Sequence, residues 1–294
     1  MSIVLQPPAI APLPAPTLAV LRQELDRLDD ALHDLIMARA GVVEQVALHG
    51  HKGRVALRPG REAQIIRRLL ARHTGRFPRS SLVRLWRELM CGNTALQAPL
   101  LLAVCEPVPS GGYIAAAREH FGPLTALHVY RTPAQAIGQI SAGLATAAVL
   151  PLPAEGELPA AAWWIALLHK DEPRIHVTAR LPFWTIRPEG ASDVEALLVC
   201  TAAPDPSGSD RSLLGIELSL ETSRDRLAQA MTAAGFVPGV TILRRDPGDT
   251  EAQALVDVAG FVADDDPRLA DLATVLRPPI VIGAYAIPVG AEPR

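Results

Sequence analysis

No proline interrupts the chain from position 17 to about 50, and nothing there stops a helix. Leu18, Leu21, Leu25, Leu28, Leu32 and Leu35 recur within it at alternating steps of three and four. That spacing aligns side chains along one stripe of an α-helix, as in a coiled-coil seam. A helix over this span is roughly 50 Å long at 1.5 Å per residue. One small domain cannot bury such a rod, so the seam is expected to pack against another chain.

The 294 residues suffice for about two domains of ~150 residues. With 49% hydrophobic and 20% charged residues, wholesale disorder is excluded. Aromatics are only 4%, so the core must be built from Ala, Leu, Val and Ile. A net charge of −3 and a pI near 6.2 argue against the whole chain binding a polyanion. Cys91, Cys105 and Cys200 lie far apart with no CxxC, so neither a disulfide framework nor a zinc site is implied. The first sixteen residues read as a flexible Pro/Ala tail; they lack a basic start and are broken by prolines, unlike a signal peptide. No apolar run reaches the ~18 residues needed to span a bilayer. The expectation is a soluble, cytoplasmic protein without membrane, metal or cofactor.

A loop over 50–60 separates the long helix from a shorter one, whose apolar side carries Ile65, Ile66, Leu69 and Leu70 and which Thr74-Gly75 ends. Pro78 and Ser80-Ser81 open a third, with Leu82, Leu85, Trp86 and Leu89 inward, running to about Leu96. After Pro99 the pattern changes. Strands are expected at 101–105, 127–130 and 147–150, with helices at 112–121 and 133–142, a small α/β unit. Beyond the loop at 204–210 come strand 213–218, helix 223–235, strands 240–244 and 254–262, helix 267–276 and strand 280–284. That βαββαβ order is ferredoxin-like. The expected fold is therefore multidomain: an all-α three-helix unit over 17–100 in an intertwined dimer, an α/β region over 101–190, and an α+β region over 191–294.

Several residues sit oddly in this frame. The leucine seam continues one step of four past Leu35 to Arg39 before Val42 and Val46 resume it. An arginine in an apolar seam is costly unless an anion meets it, whether a neighbouring glutamate or a ligand. On the third helix the apolar face runs on to Asn93 and Gln97, four apart with both amides to one side, either a ligand-binding pair or a water-exposed last turn. At the start of the second helix Glu62 suits the helix dipole, whereas Arg61 makes more sense facing a bound anion. Between Lys52 and Glu88 there are eleven Lys/Arg and two acidic residues. This could be a solvated basic face or a nucleic-acid stripe. The stretch has only Phe77 and Trp86 as aromatics, and Trp86 fits the core face, so a stacking platform for nucleic acid is disfavoured. Arg39, Arg61, Asn93 and Gln97 together suggest a small polyanion held in a helical bundle.

The segments LAVLRQELDRLDDALHDLIMARAGVVEQV, RPGREAQIIRRLL and LWRELMCGNTALQAPL resemble the three helices of the all-helical chorismate mutase class, over 18–100. The resemblance implies an intertwined homodimer that rearranges chorismate to prephenate without a cofactor. It implies that Arg39 and the partner's Arg22 clamp the two carboxylates, and that Arg61 adds charge beside the enolpyruvyl group. Glu62 would receive the ring hydroxyl, Gln97 would donate to the ether oxygen, and Asn93 stands where the family often has serine. Arg22 and Arg39 are seventeen residues apart, about 260° round a helix, so one chain cannot turn both into one pocket. The family's catalytic lysine falls at Gly50 here; Lys52 is the nearest substitute.

The remainder resembles the other part of bifunctional chorismate mutase–prephenate dehydratase proteins in degenerate form. CEPVPSGGYIAAAREHFG is similar to the dehydratase's opening strand and helix. Pro153, Ala154 and Glu155 replace the family's Glu-Asn-Ser, and Leu181–Phe183 offers no match to its Thr-Arg-Phe. The end of the chain looks like the closing half of an ACT regulatory domain, without its ligand-binding signatures. Three functions follow in order: a chorismate mutase with a dehydratase/ACT-like tail, a bifunctional enzyme, and a catalytically inactive helical dimer with a regulatory role.

Overall fold

A computed structural model describes residues 16–49, 57–169, 172–272 and 275–290. Lys52 and almost all of the expected tail lie outside these described residues. The chain divides into two compact units, Met1–His51 and Lys52–Arg294.

Among its described residues the first unit holds one helix, α1 (Leu18–His49). Thr17 accepts a bond from the Val20 amide at its start, and Glu24 accepts from Arg27 Nε at 2.8 Å and Nη2 at 2.7 Å one turn on. Gly41 lies inside it without breaking it, at a cost of ~1 kcal/mol against alanine. None of its residues is buried, and the six seam leucines are all exposed.

The second unit begins with α2 (Pro59–Arg72) and α3 (Arg79–Gln97) and continues into a nine-stranded mixed sheet. Strands β1 (Leu101–Cys105), β2 (Ala126–Tyr130) and β3 (Ala147–Pro151) are parallel, joined through α4 (Tyr113–Phe121) and α5 (Pro133–Ser141). These five elements match expectation to within a residue or so. Strands β4 (His176–Leu181) and β5 (Ala196–Cys200) were not anticipated, nor was the 3₁₀ segment Trp163–His169. The last part holds β6 (Asp210–Ser219), α6 (Arg224–Ala233), β7 (Pro238–Arg244), β8 (Glu251–Ala259) and β9 (Ile280–Ala286).

The strand order is β2-β1-β3-β5-β4-β9-β6-β8-β7. Its final four strands are antiparallel in the order last-first-third-second, as the βαββαβ reading requires. One expectation fails: the helix over 267–276 is a single 3₁₀ turn, Pro267–Leu269. The sheet also runs without a break past position 190. β4 meets β9 at Val177 and Gly283, where a Cβ on the glycine would lie 2.1 Å from the Val177 carbonyl oxygen.

Alternation along the strands gives the sheet two covered faces. Ala103, Cys105, Ala148 and Leu150 face Ala136 and Ile140 of α5 and the two tryptophans Trp163 and Trp164. Leu102, Val104, Ala147 and Val149 face the other way, onto Ala117 and Phe121 of α4. Helices α2 and α3 join their own apolar residues to the sheet through Phe183 and Ala286.

Candidate functional site

On α3 the buried residues are Val83, Arg87, Met90 and Thr94. The stripe is one position off the expected Leu82, Leu85, Trp86 and Leu89, of which Leu85 is 52% exposed and the others half-buried. The shift puts an arginine in the core. Arg87 donates to a Glu62 carboxylate oxygen at 2.7 Å. Its guanidinium carbon lies 4.8 Å from the centre of the Phe183 ring, and Nη1 is 3.4 Å from His120 Nε2. Burial, reinforced by the Arg87 charge, pushes His120 well below the usual imidazole range, so it is neutral and Nε2 can accept. Burial raises the Glu62 carboxyl; Arg87 opposes that rise and Asp205 adds to it. Glu62 Oε1 has no hydrogen-bond partner among the described residues. The carboxylate therefore has one oxygen fixed and one available.

Glu62 sits in the first turn of α2, whose amides are satisfied from a distance in sequence. Asp205 Oδ1 accepts from Gly60 N at 2.9 Å, and Oδ2 from Arg61 N at 3.0 Å and Arg58 Nε at 3.1 Å. The anion at this helix end is thus a carboxylate of the chain itself. Only glycine fits at position 60, because an added Cβ would stand 2.0 Å from the Asp205 carbonyl oxygen. Further along α2, Arg67 donates to Ser207 Oγ at 2.8 Å and to the Ile287 carbonyl at 2.6 Å. The 205–209 loop lies along the helix.

The other expected site residues are placed as follows. Arg61 is exposed, and among the described residues its guanidinium reaches only Gln64, at 3.1 Å. The Asn93 amide folds back on the Leu89 carbonyl, and that of Gln97 on the Asn93 carbonyl at 3.1 Å. Both amides are occupied by their own helix rather than turned together onto a pocket. On α1, Arg22 is exposed and has no bonding partner among the described residues, while Arg39 is half-buried. Arg39 Nη1 is shielded from solvent and has no hydrogen-bond partner among the described residues.

Arg87, His120 and Phe183 also line a cleft of about 840 Å³, together with Arg84, Arg118 and Arg187. A second polar cluster lies on the sheet: Arg180 bonds both Glu195 oxygens at 2.9 Å, and the Tyr285 hydroxyl donates to Asp257 at 2.9 Å. Burial pushes Tyr285 up to about 12. Among the described residues no group of His, Cys, Asp and Glu could hold a metal ion, and no helix is long and apolar enough to cross a membrane.

Residues 21–98 match the chorismate mutase type II family. The bifunctional chorismate mutase/prephenate dehydratase of Pseudomonas aeruginosa is 34% identical over 139 residues, covering 45% of this chain and 36% of that protein. The chain thus spans about a third of that relative's length. Among solved structures, one titled GqqA, a novel type of quorum quenching acylase, superposes with a TM-score of 0.47 at 17% identity, over 64% of this chain and 95% of that one. The prephenate dehydratase from Streptococcus mutans gives a TM-score of 0.43 at 13% identity, over 63% and 97%.

Sequence reasoning missed Arg87, His120 and Asp205. Arg87 was legible: Val83, Arg87, Met90 and Thr94 step by four, three and four, the same anomaly that singled out Arg39. Asp205 had no local signal, since its partners lie about 145 residues away.

Proposed function

We propose that the protein is a chorismate mutase, an isomerase that rearranges chorismate to prephenate in aromatic amino acid biosynthesis, working as a homodimer through its N-terminal helices. The observation that carries this reading is Arg39, whose shielded Nη1 has no partner among the described residues, on a helix whose apolar seam is exposed. A buried, unpaired guanidinium nitrogen calls for an anion. Within a segment that matches the mutase family, a dicarboxylate meets that need.

The reaction is a unimolecular Claisen rearrangement: one C–O bond breaks as one C–C bond forms, with no proton transfer or covalent intermediate. The protein has two tasks. It holds the flexible diacid in its pseudo-diaxial shape, and it stabilises charge growing on the breaking ether oxygen. Arg39 and the partner's Arg22 grip the carboxylates. Glu62 receives the ring hydroxyl on its free Oε1, and Arg61 swings from Gln64 towards the enolpyruvyl group. Gln97 and Lys52 serve the ether oxygen, and Asn93 borders the substrate. The mutase domain is 17–100, followed by a dehydratase-like region over 101–190 and an ACT-like region over 191–294, in the cytoplasm. Dehydration of prephenate is not expected, because Leu181 and Phe183 are core residues and the Glu-Asn-Ser positions hold Pro153, Ala154 and Glu155.

Purified protein should consume chorismate, read as loss of its ultraviolet absorbance, and yield prephenate. No loss beyond the uncatalysed rate contradicts the reading. Two observations favour the inactive dimer instead: Asn93 and Gln97 are bonded to their own helix, and glycine stands at position 50. Phenylpyruvate among the products would favour the bifunctional enzyme.

A further inference from the structure

Glu62 is a useful acceptor only while it is ionised and aimed, and nothing on its own helix secures either. Its fixed oxygen is held by Arg87 of α3. Arg87 in turn is almost fully buried, 5% exposed, and its position is set by two residues from the sheet region. Phe183, just after β4, offers its ring face at 4.8 Å, and His120, at the end of α4, offers a neutral nitrogen at 3.4 Å. Phe183 also carries Arg67 at 5.7 Å, so the same ring braces both α2 and α3. A buried cation with three such neighbours has one low-energy place to sit, and the carboxylate it holds inherits that place.

We propose that Arg87 is a positioning residue for the mutase reaction, set by Phe183 and His120, and that the sheet region thereby orients and ionises Glu62. The inference rests on the mutase reading. It gives the C-terminal part of the chain a task in catalysis that requires neither dehydratase chemistry nor an effector. The charged and titratable groups that bear on Glu62 are Arg87 and Cys91 on α3, Asp205 on the loop before β6, and, through Arg87, His120 on α4. Only Arg87 favours the ionised carboxylate, so its loss drives the Glu62 pKa higher. Catalysis that needs the ionised form then begins at a higher pH.

The test is the pH profile of kcat/KM for chorismate in wild type, Arg87→Gln, Arg87→Lys and Phe183→Leu, with circular dichroism to confirm folding. Arg87→Gln should lose ~10²-fold in kcat/KM, the size of loss that misplacing a catalytic group brings, with its acid limb displaced to higher pH. Arg87→Lys should recover much of that loss and most of the displacement. Phe183→Leu, which keeps the ion pair, should displace the limb by less; it decides the matter if Arg87→Gln does not fold. An active wild type whose variants keep its acid limb, or in which Lys and Gln at position 87 are equally impaired, overturns the positioning role alone. A wild type that leaves chorismate untouched overturns the mutase reading and this inference with it.

Discussion

Helix α1 buries none of its 32 residues, whereas α2, less than half as long, buries Pro59, Gly60, Ala63, Ile66 and Leu70. Both are amphipathic by sequence, so the difference lies in what each finds in its own chain. α2 finds a carboxylate for its amides in Asp205, acceptors for Arg67 in the 205–209 loop, and an apolar seat through Phe183 and Ala286. The α1 leucines stay exposed among the described residues. Each leucine brought from water into a core contributes ~1.5–3 kcal/mol, so six of them form a strong demand for a second surface. A helix completed within its chain can carry fixed geometry such as the Glu62–Arg87 pair. One left incomplete is suited to an interface, and an unpaired Arg39 on it to a shared ligand.

The largest effect should come from breaking the seam. Leu25→Asp with Leu32→Asp places two carboxylates in it, and sedimentation velocity should then show a monomer, with chorismate turnover reduced to background. A variant that remains dimeric and active would mean that α1 is not the contact surface. Arg39→Ala sharpens the same contrast: it should cost at least ~10²–10³ in turnover while leaving the dimer intact or firmer, because an unmatched charge leaves the seam. A dimer weakened in step with activity would recast Arg39 as structural.

The contrast also tracks what could be read from sequence. Patterns repeated within a helix or strand were legible: helix α1, the three parallel strands with their helices, and the four strands of the last part. The second helix of that part was not; Pro267–Leu269 makes one 3₁₀ turn, and proline pairs such as Pro278-Pro279 close off any longer helix soon after. On α3 the larger apolar side chains were taken as the inward face. The core instead took Val83, Met90 and Thr94, leaving room for Arg87 between them. Of the candidate site, the residue types were visible but not their engagements. Nothing near Glu62 in sequence announces a partner 25 positions on, nor does α2 announce a cap supplied from Asp205.

Smaller effects probe the completed helix. Asp205→Ala removes the acceptor for Gly60 and Arg61, and losing such a cap should cost ~1–2 kcal/mol and lower the melting temperature by about 2–8 °C. An unchanged melt would show that α2 is seated by its apolar contacts alone. The smallest effect is a pH dependence. His120 is held neutral by burial, so its folded pKa lies below its unfolded value, and protonation favours unfolding. Its contribution is therefore complete above the ordinary imidazole range and is lost progressively as pH falls from that range towards the depressed folded pKa. His120→Gln should melt with a shallower decline between pH 7 and pH 5 than wild type. Parallel declines would remove His120 as the cause.

The most direct measurement is chorismate turnover by the purified protein across a dilution series, with products separated by chromatography. Prephenate as the sole enzymatic product, at a rate per chain that falls as the dimer dissociates, is the expected result. Chorismate decaying only at its uncatalysed rate, or a rate per chain unchanged in a population shown to be monomeric, would contradict a site shared between two copies of α1.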